Sequence, residues 1–315
     1  MFSGTSGADM ETGADRMEQL ARCPVCGGER IIAYRPGTLA GFDLSPEEIK
    51  ITDRGYGRLW DLGLCRDCRH VFANPCPSPA LMNALYAAVE DPLYDEEAEG
   101  RSRNFKKILA ALERLLPGRG RLFDVGAATG ILLDLARARG WEPDGIEPSA
   151  WAVRFAKDKY GLTIRTGNFE TAGLPAGAYR AVTMIDVIEH TPRPAEALRR
   201  AFEILAPGGL LCVVTPDIDS AAAAFMGRKW WHFRPGHLSY FTRRSVTRLL
   251  EGAGFAIIRR RRYAWTFSAH YLVSRIERLR PLAGEGRFAS FLRRIPIKLA
   301  LGDSFEIYAR KRSTG

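Results

Sequence analysis

The sequence predicts an α/β protein: a Rossmann-like, seven-stranded, doubly wound sheet preceded by an N-terminal four-cysteine zinc-ribbon module. Three observations carry this. From Arg121 onward, short apolar runs alternate with helical stretches of about a dozen residues, the pattern of a parallel sheet covered on both faces. One such run, in residues 122–140 (LFDVGAATGILLDLARARG), ends in an acid and passes through a glycine-bearing turn into a helix. Two C-x-x-C pairs stand well ahead of it.

The 315 residues, 46% hydrophobic and 26% charged, suffice for one large domain and a small module. The reading divides them into a flexible tail (1–20), a ribbon module (21–90), a linker and helix (91–120) and the large domain (121–315). No apolar run approaches the roughly 20 residues of a membrane helix. The start, MFSGTSGADMETGADRMEQLA, lacks the basic and apolar stretches of a secretory signal, so a cytoplasmic location is expected. Net charge is +10. An anionic partner (RNA, a nucleotide-sugar, a membrane surface) and a plainly solvated arginine face both fit. The apparent dispersal of the arginines favours the solvated face.

Cys23 and Cys26 in CPVCG, with Cys65 and Cys68 in CRDCRH, have the spacing of two zinc knuckles. Four thiolates close a tetrahedral site, so the metal would be structural. His70 is a less natural substitute for Cys68. Cys76 and Cys212 read as spare thiols. RIIAYR and RLWDLGLC are the strands expected to carry the knuckles. A helical apolar pattern follows the prolines of VFANPCPSPALMNALYAA, and residues 91–103 read as a linker or flexible lid before the helix NFKKILAALERLL.

The large domain offers strands in RLFDVGA, WEPDGIEP, LTIRTGNF, YRAVTMIDV and LLCVVTP, then in FAIIRRRRYAW and SFEIYARKR. Helices are expected over 130–139, 149–160 and 194–205, with Ser149 as an N-cap. The turn after the first strand lacks the middle glycine of a dinucleotide fingerprint and carries Asp124 at the strand end. That acid repels a pyrophosphate but not an ammonium. S-adenosylmethionine has an amino-acid end, a sulfonium and no phosphate. Asp124, Gly126 and Gly130 are therefore candidate cofactor residues, and Glu147, closing the second strand, can accept from both ribose hydroxyls.

From Cys23 to Arg312 the chain resembles class I S-adenosylmethionine-dependent methyltransferases with an N-terminal zinc ribbon. DVGAATG matches their first cofactor motif and GIEPS the ribose acid. The resemblance implies that Asn168 and Phe169 of GNFE hold the adenine, and that Asp186 of MIDVIEH lies beside the methionine portion. Asp186, Glu189 and His190 resemble the acidic, histidine-ended cluster of quinone O-methyltransferases. They are expected to line the methionine pocket rather than to form an essential metal site. The ribbon running into F-A-N-P-x-P is similar to bacterial enzymes of sugars, surface polysaccharides and secondary metabolites. The implied activity is methyl transfer to a small-molecule acceptor, at a hydroxyl. RNA methylation and non-catalytic cofactor binding are the alternatives. Oligomeric state is not legible.

The acceptor is expected at KWWHFRPGHLSYF, residues 229–241, which follows the fifth strand at the carboxyl edge of the sheet. Trp230, Trp231, Phe233, Tyr240 and Phe241 would wall the site. His237, after Pro235-Gly236, would be the general base, with His232 second.

Overall fold

A computed structural model describes residues 17–39, 44–52, 55–284 and 286–312. Its main sheet has seven strands: β1 (Arg121–Val125), β2 (Glu142–Glu147), β3 (Arg165–Thr166), β4 (Tyr179–Ile185), β5 (Leu205–Pro216), β6 (Phe255–Arg262) and β7 (Ser304–Lys311). Their order is β6-β7-β5-β4-β1-β2-β3. β1 to β5 pair in parallel, while β7 inserts antiparallel between β5 and β6. The order reverses between β1 and β4, where open α/β sheets open a crevice beyond their carboxyl ends.

The helices are α1 (Pro79–Ala87), α2 (Leu93–Glu96), α3 (Ala98–Leu115), α4 (Ile131–Ala138), α5 (Ala150–Tyr160), α6 (Pro194–Ile204), α7 (Ala221–Met226), α8 (Arg243–Gly252), α9 (Ala269–Arg275) and α10 (Arg287–Arg294). Side chains alternate across a strand, so β5 sends Leu211 and Val213 to one core and Leu210, Cys212 and Val214 to the other. The first core takes α6 and α8; the second takes α3, α4 and α5. Burial on both faces explains why Leu210–Val214 of β5 is continuously apolar. Ser149 caps α5 by accepting the Ala152 N–H at 3.1 Å, and its own hydroxyl donates to the Val89 carbonyl.

The ribbon strands Ile31–Arg35, Leu62–Cys65 and Val71–Ala73 form an antiparallel sheet whose fourth member, Ser239–Tyr240, comes from the large domain. Residues 21–90 and 121–315 thus share a sheet.

Three expectations need correction. The tail reading covers residues 1–20. Residues 1–16 lie outside the described residues, but Met17–Glu18 is a strand paired with Cys76–Pro77. The segment 91–103 is helical rather than a linker or lid. Asp91, Tyr94, Glu97 and Gly100 are buried there, and Glu97 accepts from the Ser268 N–H and hydroxyl. An acidic sequence looked solvated because its long-range partners were invisible. LTIRTGNF supplies only the two-residue β3, since an edge strand has one neighbour to fix its length.

Candidate active site

A cavity of about 490 Å³ opens at the carboxyl ends of β1, β2 and β4. The β1–α4 turn, the ends of β2 and β4, residues 167–171, α1, α3 and His232, Arg234, Gly236 and His237 line it. Its size suits a small organic ligand.

The β1–α4 turn is shaped by three positive φ angles, +70° at Gly126, +46° at Ala128 and +81° at Gly130. A Cβ at Gly126 would lie 2.9 Å from Val187 Cγ2. The turn delivers the Ala128 N–H to Glu147 Oε2 at 2.9 Å, while the Ser149 N–H reaches Oε1 at 2.9 Å. Both oxygens are thereby fixed, and each keeps a lone pair for a further donor. Burial raises the Glu147 pKa, and the two amide bonds pull it back.

Asp124 accepts from Thr183 Oγ1 at 2.6 Å. Burial pushes its pKa up to about 7, against that hydrogen bond. Asp186 ends β4 at φ +51°, unusual for a residue other than glycine, and its buried Oδ1 has no partner. Burial raises it to about 7, although Arg101 and Arg234 favour its charged form. A buried carboxylate oxygen left unpaired in a cavity that also holds Asp124 and Glu147 suits a cationic, hydroxyl-bearing ligand and not a pyrophosphate. Asn168 and Phe169 also line the cavity. Gly130 does not, which corrects its expected role. A Cβ there would lie 2.9 Å from Leu162 Cδ1 and 3.0 Å from Ala156 Cβ, so this glycine serves helix packing.

His190, His232 and His237 also line the cavity and lie close together. The His237 ring stands 4.6 Å from His190 and 5.8 Å from His232. Burial lowers all three pKa values, His190 to about 4, His232 to about 3 and His237 well below the usual value. All are neutral at pH 7. His237 Nδ1 is buried without a partner. His190 Nδ1 lies 2.7 Å from Tyr86 Oη and 2.9 Å from the Gly236 carbonyl oxygen. Ligand atoms of Glu189, His190 and His237 fall within 4.8 Å of one another. Asp186, grouped with Glu189 and His190 from sequence, is outside that cluster.

The expected aromatic wall is corrected. Trp230, Phe233 and Tyr240 are buried against Leu59, Leu62, Leu64 and Val71 of the ribbon, and Phe241 packs in the main core; with Trp231, none lines the cavity. The apolar wall comes instead from Met82, Tyr86, Tyr94, Phe105 and Trp265. These were hidden in α1, α2, α3 and the strand after β6, where an apolar residue reads only as core. Ribbon bonds fix the histidine loop: Gly57 N–H to the Phe233 carbonyl at 2.8 Å, Trp60 Nε1 to that of Pro235 at 2.9 Å, and Ala73 N–H to that of Leu238 at 2.8 Å.

The four cysteines cluster, with Sγ–Sγ distances of 3.6 Å for Cys23–Cys68 and for Cys26–Cys65. A disulfide needs about 2.05 Å. Thiolates about 2.3 Å from one tetrahedral zinc lie about 3.8 Å apart, close to the spacing seen. The two knuckles match. Gly27 N–H donates to the Cys23 carbonyl and Arg69 N–H to that of Cys65, both at 2.9 Å, with φ +71° and +65°. His70 is outside the cluster, buried between Phe72 and Phe241. Cys76 and Cys212 are buried free thiols.

Together, the reversed last strand, the carboxylate-fixed turn and the cavity define a Rossmann-like nucleoside-binding domain. The family model described as a methyltransferase domain matches residues 94–260, just over half of the sequence. The chain belongs to the class I S-adenosylmethionine-dependent methyltransferase family. It is similar to the ubiquinone biosynthesis O-methyltransferases of Cereibacter sphaeroides (32% identity over 123 residues, 36% of this chain and 50% of the relative) and Albidiferax ferrireducens (29% over 126 residues, 36% and 50%). It thus spans about half the length of these curated relatives. A chain in the solved complex between the Haloferax volcanii Trm112 methyltransferase activator and a methyltransferase matches in fold, with TM-score 0.50 and 13% identity, over 71% of this chain and 96% of its own.

Proposed function

We propose that this protein transfers the methyl group of S-adenosylmethionine to a hydroxyl of a small-molecule acceptor, in the class of sugars, polysaccharide precursors or secondary metabolites. One observation carries the reading: a single cavity is lined both by Glu147 and the unpaired Asp186 and by three histidines that burial keeps neutral. The O-methyltransferase names of the relatives support oxygen as the acceptor atom.

Bound there, S-adenosylmethionine supplies a sulfonium methyl open to in-line attack by a nucleophile. Glu147 accepts from the ribose hydroxyls, Asp186 faces the cationic methionine end, and Asn168 and Phe169 hold the adenine. Tyr94, Phe105 and Trp265 exclude water. His237 takes the proton the acceptor hydroxyl loses, at the unpaired Nδ1 or through the opposite ring nitrogen. Its depressed pKa keeps it unprotonated at neutral pH, at the expense of basicity. His232 is the second candidate. Positioning supplies much of the remaining rate.

The four cysteines hold one structural zinc, which suits a reducing compartment such as the cytoplasm. The zinc fixes the ribbon, and the ribbon fixes the loop bearing His237. Incubation of the purified protein with a metabolite extract and methyl-labelled cofactor, read by mass spectrometry, tests the proposal. A small molecule should gain the labelled methyl; label found only in RNA, or nowhere, refutes it.

A further inference from the structure

The connection from β6 to β7 is an insert. Its base is a two-stranded ladder, Trp265–Ser268 with Pro296–Leu299. Between the two strands lie α9, the 3₁₀ turn Glu277–Ala283 and α10. Of the thirteen large hydrophobic side chains exposed among the described residues, six fall here: Ile276, Leu279, Leu282, Phe288, Phe291 and Leu301. Phe288 and Phe291 are 55% and 58% exposed, one helical turn apart on α10, while Ala289 is the residue of α10 that is buried.

The same stretch is strongly basic. Residues 275–298 hold seven Lys or Arg and two Glu, an excess of five that is half of the chain's net +10. The charge is therefore concentrated here and not dispersed. Arg293 lies 3.9 Å from Glu96. Arg278, Arg280, Arg287, Arg294 and Lys298 are exposed and, among the described residues, form no ion pair.

We propose that this insert docks the protein onto a membrane surface bearing anionic phospholipid. Exposed apolar side chains interleaved with unpaired cations are what the interface of such a bilayer accommodates: apolar groups enter the acyl boundary and guanidinium groups meet phosphates. No helix among the described residues is long and apolar enough to cross a membrane, so the contact is peripheral. Charge argues against a second copy, since two such patches repel. The apolar groups are mainly leucine, isoleucine and singly spaced phenylalanine, and they form no row of rings for stacking successive bases, which argues against single-stranded RNA. The insert adjoins the cavity. Trp265 lines it, and Arg275 Nη1 donates to the carbonyl of Thr52, next to the lining residue Ile51. A docked surface would therefore lie beside the cavity.

The test is co-sedimentation of the full chain with phosphatidylcholine vesicles, with and without phosphatidylglycerol, over a range of salt. Binding should need the anionic lipid and weaken as salt rises. Each arginine near the surface should contribute about fivefold in partition, so joint Arg287→Glu and Arg294→Glu should lower it by roughly twenty-five-fold or more. Joint Phe288→Ser and Phe291→Ser should lower it about tenfold or more, with the melting temperature unchanged because both rings are exposed. Equal binding to neutral vesicles, or none to either, overturns the proposal. So does a concentration-dependent dimer broken by the phenylalanine pair, or tighter binding to single-stranded RNA through the same arginines.

Discussion

Replacing Glu147 by alanine removes two things at once. The carboxylate anchors the Ala128 and Ser149 amides, each at 2.9 Å, and it presents the lone pairs assigned to the ribose. A hydrogen bond to a charged group contributes about 1.5–3 kcal/mol, so loss of the ribose contact alone should weaken cofactor binding roughly ten- to a hundredfold. The structural loss pushes the result toward the upper end. Without the carboxylate, the Ala128 N–H has no partner, and a backbone already at φ +46° is free to relax. Glu147→Gln should fall between, since its carbonyl serves one amide while its NH₂ opposes the other. Titration calorimetry with S-adenosylmethionine and with S-adenosylhomocysteine measures both variants, with melting temperature as the folding control. A folded Glu147→Ala protein that binds within about twofold of the parent would refute the ribose role.

Cofactor affinity should fall as pH drops below about 7. Asp124 and Asp186 titrate near there in the free protein, and protons compete with a cationic ligand, giving up to about a tenfold loss per pH unit for each proton taken up. Melting temperature is the poorer readout. The raised acids favour the fold at low pH and lose that contribution as pH rises through about 7, whereas the depressed histidines favour it above about 6.5 and lose theirs as pH falls. His237→Ala should lower the transfer rate about 10²–10⁴-fold with cofactor affinity intact; an unchanged rate leaves it a scaffold residue. Elemental analysis should find one zinc per chain, and Cys26→Ser should destabilise the ribbon and slow transfer by loosening the histidine loop. Adding EDTA at a concentration that leaves this zinc bound should not abolish turnover. Abolition, with rescue by magnesium, would make Glu189, His190 and His237 a metal site.

The sheet was legible because period and punctuation agree locally: β1, β4 and β5 each centre on an apolar run bounded by turn residues, and β2, polar in itself, stands between two helical stretches. That Asp124, Gly126, Glu147 and Asp186 line one cavity was legible because each stands at or beside a strand end. Its apolar wall was not. Tyr86, Tyr94 and Phe105 reach the cavity from helices far upstream, and sequence periodicity cannot separate a side chain facing a core from one facing a cavity. The aromatics of residues 229–241 misled for the converse reason. Trp230, Phe233 and Tyr240 are buried, but against ribbon residues more than 150 positions away. Gly130 belongs to a motif that serves both ligand approach and helix packing, and only the neighbours of its absent side chain separate the two.

The strand that Ser239–Tyr240 lends to the ribbon bears on how such a protein can be inherited or engineered. A module that folds alone can be moved between genes as a cassette. This one cannot, because its sheet is completed from the far side of the chain, two residues beyond His237. Cutting near residue 90 would strip Val71 and Phe72 of their pairing partners and lay bare the apolar face of Trp230 and Phe233. Ribbon and acceptor loop must therefore change together. A graft of the loop bearing His237 would have to carry both segments, although 138 residues (91–228) separate them in sequence.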